Sequence, residues 1–252
     1  MRTSGRKYVI TGAGRGLGAA LATVMADAGA RLVLLARSET ALQGTADTIF
    51  ARTGQRVATM TCDLADRESS AAAGAWLARE HADLDGVIHN GAMWLPAPFS
   101  AASDADIETC VASAAIGSLI LTRHLLPNLL AREHADIHTV VSTSGVQNYP
   151  LDGVSVAFKA AKFAQAGFVQ GLTDELAGTG VRVTAVFPGD FDDASPVDPG
   201  WTEARADDAG LTGREVVDAI LFILNLPPSV TVPSLVIESR TGNGIVSRGG
   251  FA

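Results

Sequence analysis

Cysteine is nearly absent from this 252-residue chain: Cys62 and Cys110 are its only two, far apart in sequence. That excludes a disulfide framework and any zinc-ligand spacing, and it predicts two ordinary core thiols in a reducing compartment. No apolar stretch is expected to approach the roughly 18 residues that a bilayer crossing needs. From Met1 the chain runs through Arg6 and Lys7 straight into a strand pattern, without the apolar segment and cleavage site of a leader. The expectation is a cytoplasmic protein with no membrane partner. Basic blocks are missing too, and the net charge is −8, so nothing would track a phosphate backbone and nucleic acid is excluded as a partner. With no Pro- or Ser-rich linker and no solenoid-type repeat, residues 1–252 read as one domain.

What the chain has is a 47% apolar composition, enough for a well-buried core, set out in a regular alternation. Short β-branched runs predict strands at Tyr8–Thr11, Arg31–Ala36, Val57–Cys62, Gly86–His89, Thr139–Ser142, Val181–Phe187 and Leu235–Ile237. Ala- and Leu-rich stretches between them predict helices at Gly16–Ala28, Glu39–Thr53, Glu68–Glu80, Ala105–Arg132, Phe158–Ala177 and Gly213–Asn225. Such alternation defines an α/β fold class, a doubly wound parallel sheet of about seven strands with helices on both faces. Two segments break the pattern. Residues 190–210 carry seven carboxylates against one Arg with no clear period, which predicts a substrate lid or binding loop. Residues 239–252 are Gly-rich and polar, and are expected to form a mobile tail.

The first strand leads into Thr11-Gly12-Ala13-Gly14-Arg15-Gly16-Leu17-Gly18. Glycines suit such a turn because the chain reverses tightly and its backbone must approach a pyrophosphate, which the amides of the following helix then face. The spacing Thr11-Gly12-x-x-x-Gly16-x-Gly18 resembles the nucleotide loop of the short-chain dehydrogenases/reductases. So do Asp63-Leu64 after the third strand, His89-Asn90-Gly91-Ala92 after the fourth and Pro188-Gly189 after the sixth. The resemblance runs from Lys7 to about Ile237, and it implies a Rossmann-type domain that binds a nicotinamide dinucleotide through Gly12–Gly18, Asp63, Leu64, Asn90, Gly91, Pro188 and Gly189.

Physics favours NADP(H) over NAD(H). An NAD site places a carboxylate at the end of the second strand, where it would repel a 2′-phosphate. Here that strand ends Ala36-Arg37-Ser38, with no carboxylate before Glu39. Arg37, with Ser38 beside it and Arg15 in the glycine loop, can clamp a phosphate through charge-assisted bonds.

The resemblance also implies a relay of Asn, Ser, Tyr and Lys, in which a phenol exchanges a proton with the substrate oxygen. A Lys four residues later lowers the phenol's pKa and binds the nicotinamide ribose. Here the segment reads Phe158-Lys159-Ala160-Ala161-Lys162: Lys162 is kept, but Phe158 has no proton to give. The Asn position, three residues before Gly117, is Ala114. The Ser is Ser142 or Ser144, because the segment from there to Phe158 is about three residues longer than the family spacing. A Tyr→Phe exchange is nearly isosteric, so the fold survives while the acid–base step is lost.

Tyr149 and Asp152, between the serines and Phe158, are alternative proton sources, as are a water chain and the substrate itself; Tyr8 and His89 read as core. Asp193 stands where the family commonly has a Thr that bonds the nicotinamide amide. The acidic segment would concentrate a cationic small-molecule substrate such as an amine. The resemblance implies a homodimer or homotetramer paired through the fourth and fifth helices. These features are compatible with an NADP(H)-dependent oxidoreductase of a small carbonyl or alcohol. They are also compatible with an NADP(H)-binding protein doing non-redox cyclisation, elimination or epimerisation, or with a non-catalytic cofactor-binding protein.

Overall fold

The computed structural model describes residues 1–96, 98–149, 154–204, 206 and 210–240. Its seven strands are β1 (Lys7–Thr11), β2 (Arg31–Ala36), β3 (Ala58–Thr61), β4 (Gly86–His89), β5 (Ala135–Val140), β6 (Val181–Pro188) and β7 (Ser234–Ile237). They form one sheet in the order β3-β2-β1-β4-β5-β6-β7, and every neighbouring pair is parallel. The helices are α1 (Gly16–Asp27), α2 (Glu39–Thr53), α3 (Arg67–Glu80), α4 (Asp104–Val111), α5 (Gly117–Leu130), α6 (Val156–Glu175) and α7 (Gly213–Asn225).

Parallel strands need crossover helices, and those helices bury both faces of the sheet. On one face Leu21 of α1, Ile49 of α2 and Ile220 of α7 pack with Ile10 and Leu34. On the other, Leu77 of α3, Leu121 of α5 and Phe168 of α6 pack with Val9, Val87 and Ile137. Helix ends follow local chemistry. Ser38, Asp66, Ser103 and Ser155 each accept a backbone N–H at a helix start, and Gly54 closes α2 in the left-handed region at φ +71°. Strand order reverses between β1 and β4, the switch point at which doubly wound sheets bind ligands.

Several expectations shift. The fifth strand starts four residues earlier than predicted and ends at Val140, which puts Ser142 beyond it in a turn. Asp136 and His138 disguised that strand, because both are buried polar residues, Asp136 paired with Arg6, Tyr8 and Arg182 and His138 Nδ1 with Thr184 Oγ1. The single helix expected over Ala105–Arg132 is α4, a π turn at Ala112–Ile116 and α5, and Ala114 sits in the π turn. That run, Asp104–Leu130, contains an 18-residue window of mean hydropathy 1.4, so an apolar stretch of spanning length does exist. Some 56% of the window is buried within the fold, which is the ordinary situation of a core helix. Of the acidic segment, Asp192 is tied to Leu211 and Gly213 by backbone hydrogen bonds, and Pro199–Trp201 forms a short 3-10 turn. Residues 205 and 207–209 lie outside the described residues, as do 241–252 of the expected tail.

One ion cluster clamps the amino-terminal edge of the sheet. Asp136 is 2% exposed; its Oδ2 accepts Arg6 Nη1 at 2.7 Å and the Tyr8 hydroxyl at 3.0 Å, and its Oδ1 accepts Arg182 Nε at 2.8 Å. Burial, with Asp136 beside it, pushes the Tyr8 phenol well above its ordinary value. Removing a buried partner leaves uncompensated charge, so Asp136→Ala should cost about 3–5 kcal/mol of unfolding free energy. The exposed Arg79–Glu80 pair should cost little when broken by Glu80→Ala. Urea denaturation of the two variants checks the contrast.

Candidate functional site

The glycine turn is built on contacts that admit no side chain. Gly12 has φ +66°, and a Cβ there would lie 2.7 Å from Gly91 Cα. A Cβ at Gly18 would lie 2.2 Å from the Gly12 carbonyl oxygen and 2.5 Å from Asn90 Nδ2. Asn90 binds the turn from the end of β4. Its Nδ2 donates to the Thr11 and Gly12 carbonyls at 3.2 and 3.3 Å, and the N–H groups of Asn90 and Gly91 both donate to Thr11 Oγ1 at 3.0 Å. The altered motif at His89–Ala92 thus still holds β1 against β4. His89 itself is fully buried; its Nε2 lies 2.7 Å from Thr122 Oγ1, and burial lowers its pKa to about 4. It is a neutral core residue.

Around this turn the expected cofactor residues divide by exposure. Arg15 and Arg37 are exposed, and neither pairs with a carboxylate among the described residues. Ser38 spends its hydroxyl capping α2. The Asp63 carboxylate accepts the Ala65 N–H at 3.0 Å and shapes the turn before α3. Leu64 and Pro188 are buried, while Gly14, Gly16, Gly91 and Gly189 are partly open. A cleft of about 460 Å³ opens beside the turn, between Gly14–Gly16, the facing sides of α1 and α2, and residues Asp193–Asp198. The Asp193 carboxylate lies 3.1 and 3.3 Å from where a Gly16 Cβ would stand, at the start of α1.

The second cluster lies where the 3-10 turn Thr143–Gly145 packs on α6. A Cβ on Gly145 would sit 2.7 Å from the Lys162 carbonyl, so that turn and the Lys162 backbone are in direct contact. Ser142 is half-buried; its Oγ accepts the Ser144 N–H at 3.1 Å and lies 3.3 Å from Ser144 Oγ. Ser144 is only 2% exposed. One turn apart on α6, Phe158 and Lys162 stack, with Nζ 5.4 Å from the ring centroid. Nζ donates to Gln165 Oε1 at 2.8 Å and to the Val140 carbonyl at 3.4 Å. Its burial without a carboxylate partner lowers the Lys162 pKa to about 7, opposed by the Cys110 thiol nearby. Phe158 and Ala114 share an apolar cluster with Leu95 and Cys110, and Trp94 meets the Phe158 ring edge-on at 4.5 Å. Tyr149 is buried rather than a surface loop residue; Asp152 lies outside the described residues.

Gln165 and Trp94 escape the sequence reading. A lone amide three residues after Lys162, on the buried face of an Ala- and Phe-rich helix, is a signal for the first, since i,i+3 neighbours meet. Nothing in the sequence marks Trp94.

A doubly wound sheet with a glycine turn at its strand-order reversal defines a Rossmann-type α/β protein. The family pattern of the short chain dehydrogenases matches residues 6–203, and the chain belongs to that family. An uncharacterized oxidoreductase of Staphylococcus saprophyticus is 28% identical over 233 residues, covering 91% of this chain and 95% of its own. The alcohol dehydrogenase of the archaeon Thermococcus sibiricus complexed with 5-hydroxy-NADP matches with a TM-score of 0.79 at 22% identity, over 98% of this chain and 99% of that one. The closed form of a serine dehydrogenase complexed with NADP+ matches with a TM-score of 0.77 at 25% identity, over 92% and 94%.

A crowded glycine and an open one allow a paired test. Gly18→Ala must displace backbone, and should cost about 1–3 kcal/mol of stability through overpacking. Gly44→Ala, inside α2 with nothing within 4 Å of its new methyl, should be neutral or stabilise by up to about 1 kcal/mol. Thermal melts of both variants discriminate.

Proposed function

We propose that this protein is an NADP(H)-dependent oxidoreductase of a small carbonyl or alcohol, with Phe158 and Ala114 in place of the family's Tyr and Asn. The observation that carries the reading is the turn at Gly12–Gly18, which admits no side chain at Gly12 or Gly18 and borders a cleft with Arg15 on its rim, with Arg37 exposed just after β2. Such a cradle fits a pyrophosphate at the start of α1 and a 2′-phosphate beside Arg37, and the solved relative in complex with NADP+ supports the same cofactor. The glycine turn, Asn90 and Gly91 would hold the dinucleotide, with Asp63 and Leu64 at its adenine end and Pro188-Gly189 at the nicotinamide end. When bound, the cofactor supplies or accepts a hydride.

In this reading Ser142 rather than Ser144 holds the substrate oxygen, because Ser142 is the more accessible of the two and stands just beyond the carboxyl end of β5. Lys162 binds the nicotinamide ribose, and Phe158 contributes shape without a proton. Two free, buried thiols fit a reducing, cytoplasmic setting. Exposed Ile116, Leu119 and Phe163, on or next to α5 and α6, fit pairing with a second copy of the chain. The acidic residues around Asp193 would attract a cationic substrate. The packing of Phe158 and Ala114 into one apolar cluster favours a second reading, in which the bound cofactor serves a non-redox cyclisation, elimination or epimerisation.

Calorimetric titration with NADPH and NADH tests the first reading. NADPH should bind at least about ten-fold more tightly, and Arg37→Glu should erase that preference. Equal affinity for the two, or binding of neither, contradicts it.

A further inference from the structure

The reading above leaves the proton unassigned, and the geometry around Phe158 supplies a candidate. We propose that Lys162, besides contacting the cofactor, is the group that exchanges a proton with the substrate oxygen. This inference rests on the oxidoreductase reading and deepens it.

Four observations carry it. Lys162 Nζ lies 5.4 Å from the Phe158 ring centroid, so among the described residues it is the ionisable group stacked on the ring that has no proton. Two of its three N–H bonds are committed to neutral acceptors, Gln165 Oε1 and the Val140 carbonyl. The third has no protein acceptor within hydrogen-bond distance among the described residues, and can therefore point to a substrate oxygen. Finally, no carboxylate pairs with the ammonium among the described residues, so nothing fixes its charge. With burial lowering its pKa to about 7, the amine changes charge in the range where a general acid–base works best.

The groups packed around Nζ do not compete for this role. From α4 comes the Cys110 thiol, whose own pKa burial raises, which keeps it neutral. The Thr143–Gly145 turn and the end of β5 present hydroxyls and carbonyls, and on α6 itself Lys159 stands three residues back.

In the reducing direction the carbonyl carbon receives hydride from the reduced nicotinamide while its π pair moves onto oxygen. That oxygen takes a proton from Nζ; the N–H bonding pair stays on nitrogen, and solvent water reprotonates the neutral amine. The sum is carbonyl plus NADPH plus one proton, giving alcohol plus NADP+. Oxidation runs the same steps in reverse.

The chain contains three lysines, Lys7, Lys159 and Lys162, so ¹³C-lysine NMR can follow each one. One ε-carbon resonance should titrate with a midpoint near 7 and vanish in Lys162→Arg. NADPH oxidation by 1-phenyl-1,2-propanedione is the kinetic probe. Its pH profile should break at the same midpoint. In Lys162→Arg the break should disappear, with a rate loss of about 100-fold or more at saturating NADPH.

Gln165→Glu provides a variant that leaves Lys162 in place. A carboxylate at 2.8 Å should move the NMR midpoint and the kinetic break upward together, by about one unit or more. A midpoint that moves while the break stays fixed overturns the proposal, as does a rate in Lys162→Arg within about three-fold of the unsubstituted protein. Tight NADPH binding without any turnover of the diketone would remove the oxidoreductase reading, and this inference with it.

Discussion

At the carboxyl ends of β1 and β4 two pieces of backbone and one side chain share a space that has no room for a methyl group. The Gly12 turn, the first turn of α1 and the Asn90 amide meet there, and a Cβ at Gly18 would lie 2.2 Å from the Gly12 carbonyl. This close approach is what lets β1, α1 and β4 converge at the strand-order reversal of the sheet. The rest of the site is positioned from it. It sets the start of α1 and the exit of β2 toward Arg37. Through β4 and β5 it also sets the level at which Ser142 leaves the sheet. A parallel sheet collects its strand ends on one edge, so the loops that follow β1, β4, β5 and β6 leave the sheet on the same side.

The second cluster shows how an apolar ring shapes the state of the cation stacked on it. A Lys beside a phenol shares its proton traffic with that phenol; beside Phe158 it faces a ring with no exchangeable proton. Packed with Phe158, Trp94 and Cys110, and held by the neutral acceptors Gln165 and Val140, Lys162 has lost most of its reason to stay charged. The exposed Arg15 and Arg37 stand in the opposite condition, solvated and unpaired among the described residues, as suits groups that take up a phosphate.

Much of this was legible in the sequence. The alternating apolar runs gave six of the seven strands to within one residue at each end, because strands buried on both faces read as short continuous apolar stretches. The glycine turn was readable because sterics at Gly12 and Gly18 leave no alternative residue. The fifth strand was not, since Asp136 and His138 look like loop residues until Asp136 is seen to pair with Arg6 and Arg182, and His138 Nδ1 with Thr184. The π turn around Ala114 was hidden for a related reason: helix periodicity tolerates one extra residue without changing composition. The alternatives Ser142 and Ser144 could not be ordered by spacing, whereas their unequal burial separates them. Gln165 meets Lys162 at i,i+3 on α6, a spacing the sequence carries, whereas Trp94 reaches Phe158 through a tertiary contact that no local pattern reports.

The account holds that this scaffold still brings a nicotinamide and a carbonyl into hydride-transfer geometry, and that what it lacks is the phenol. Restoring that one group tests the claim most directly. The rate of 1-phenyl-1,2-propanedione reduction by NADPH should be compared between the unsubstituted protein and Phe158→Tyr. The added hydroxyl stands on a ring already stacked on Lys162, and the account predicts a rate above the one that Lys162 alone supports, because a phenol then shares the proton transfer. A Phe158→Tyr protein that folds and binds NADPH but shows no gain would contradict it, and would mean that the pocket over Lys162 serves chemistry other than hydride transfer.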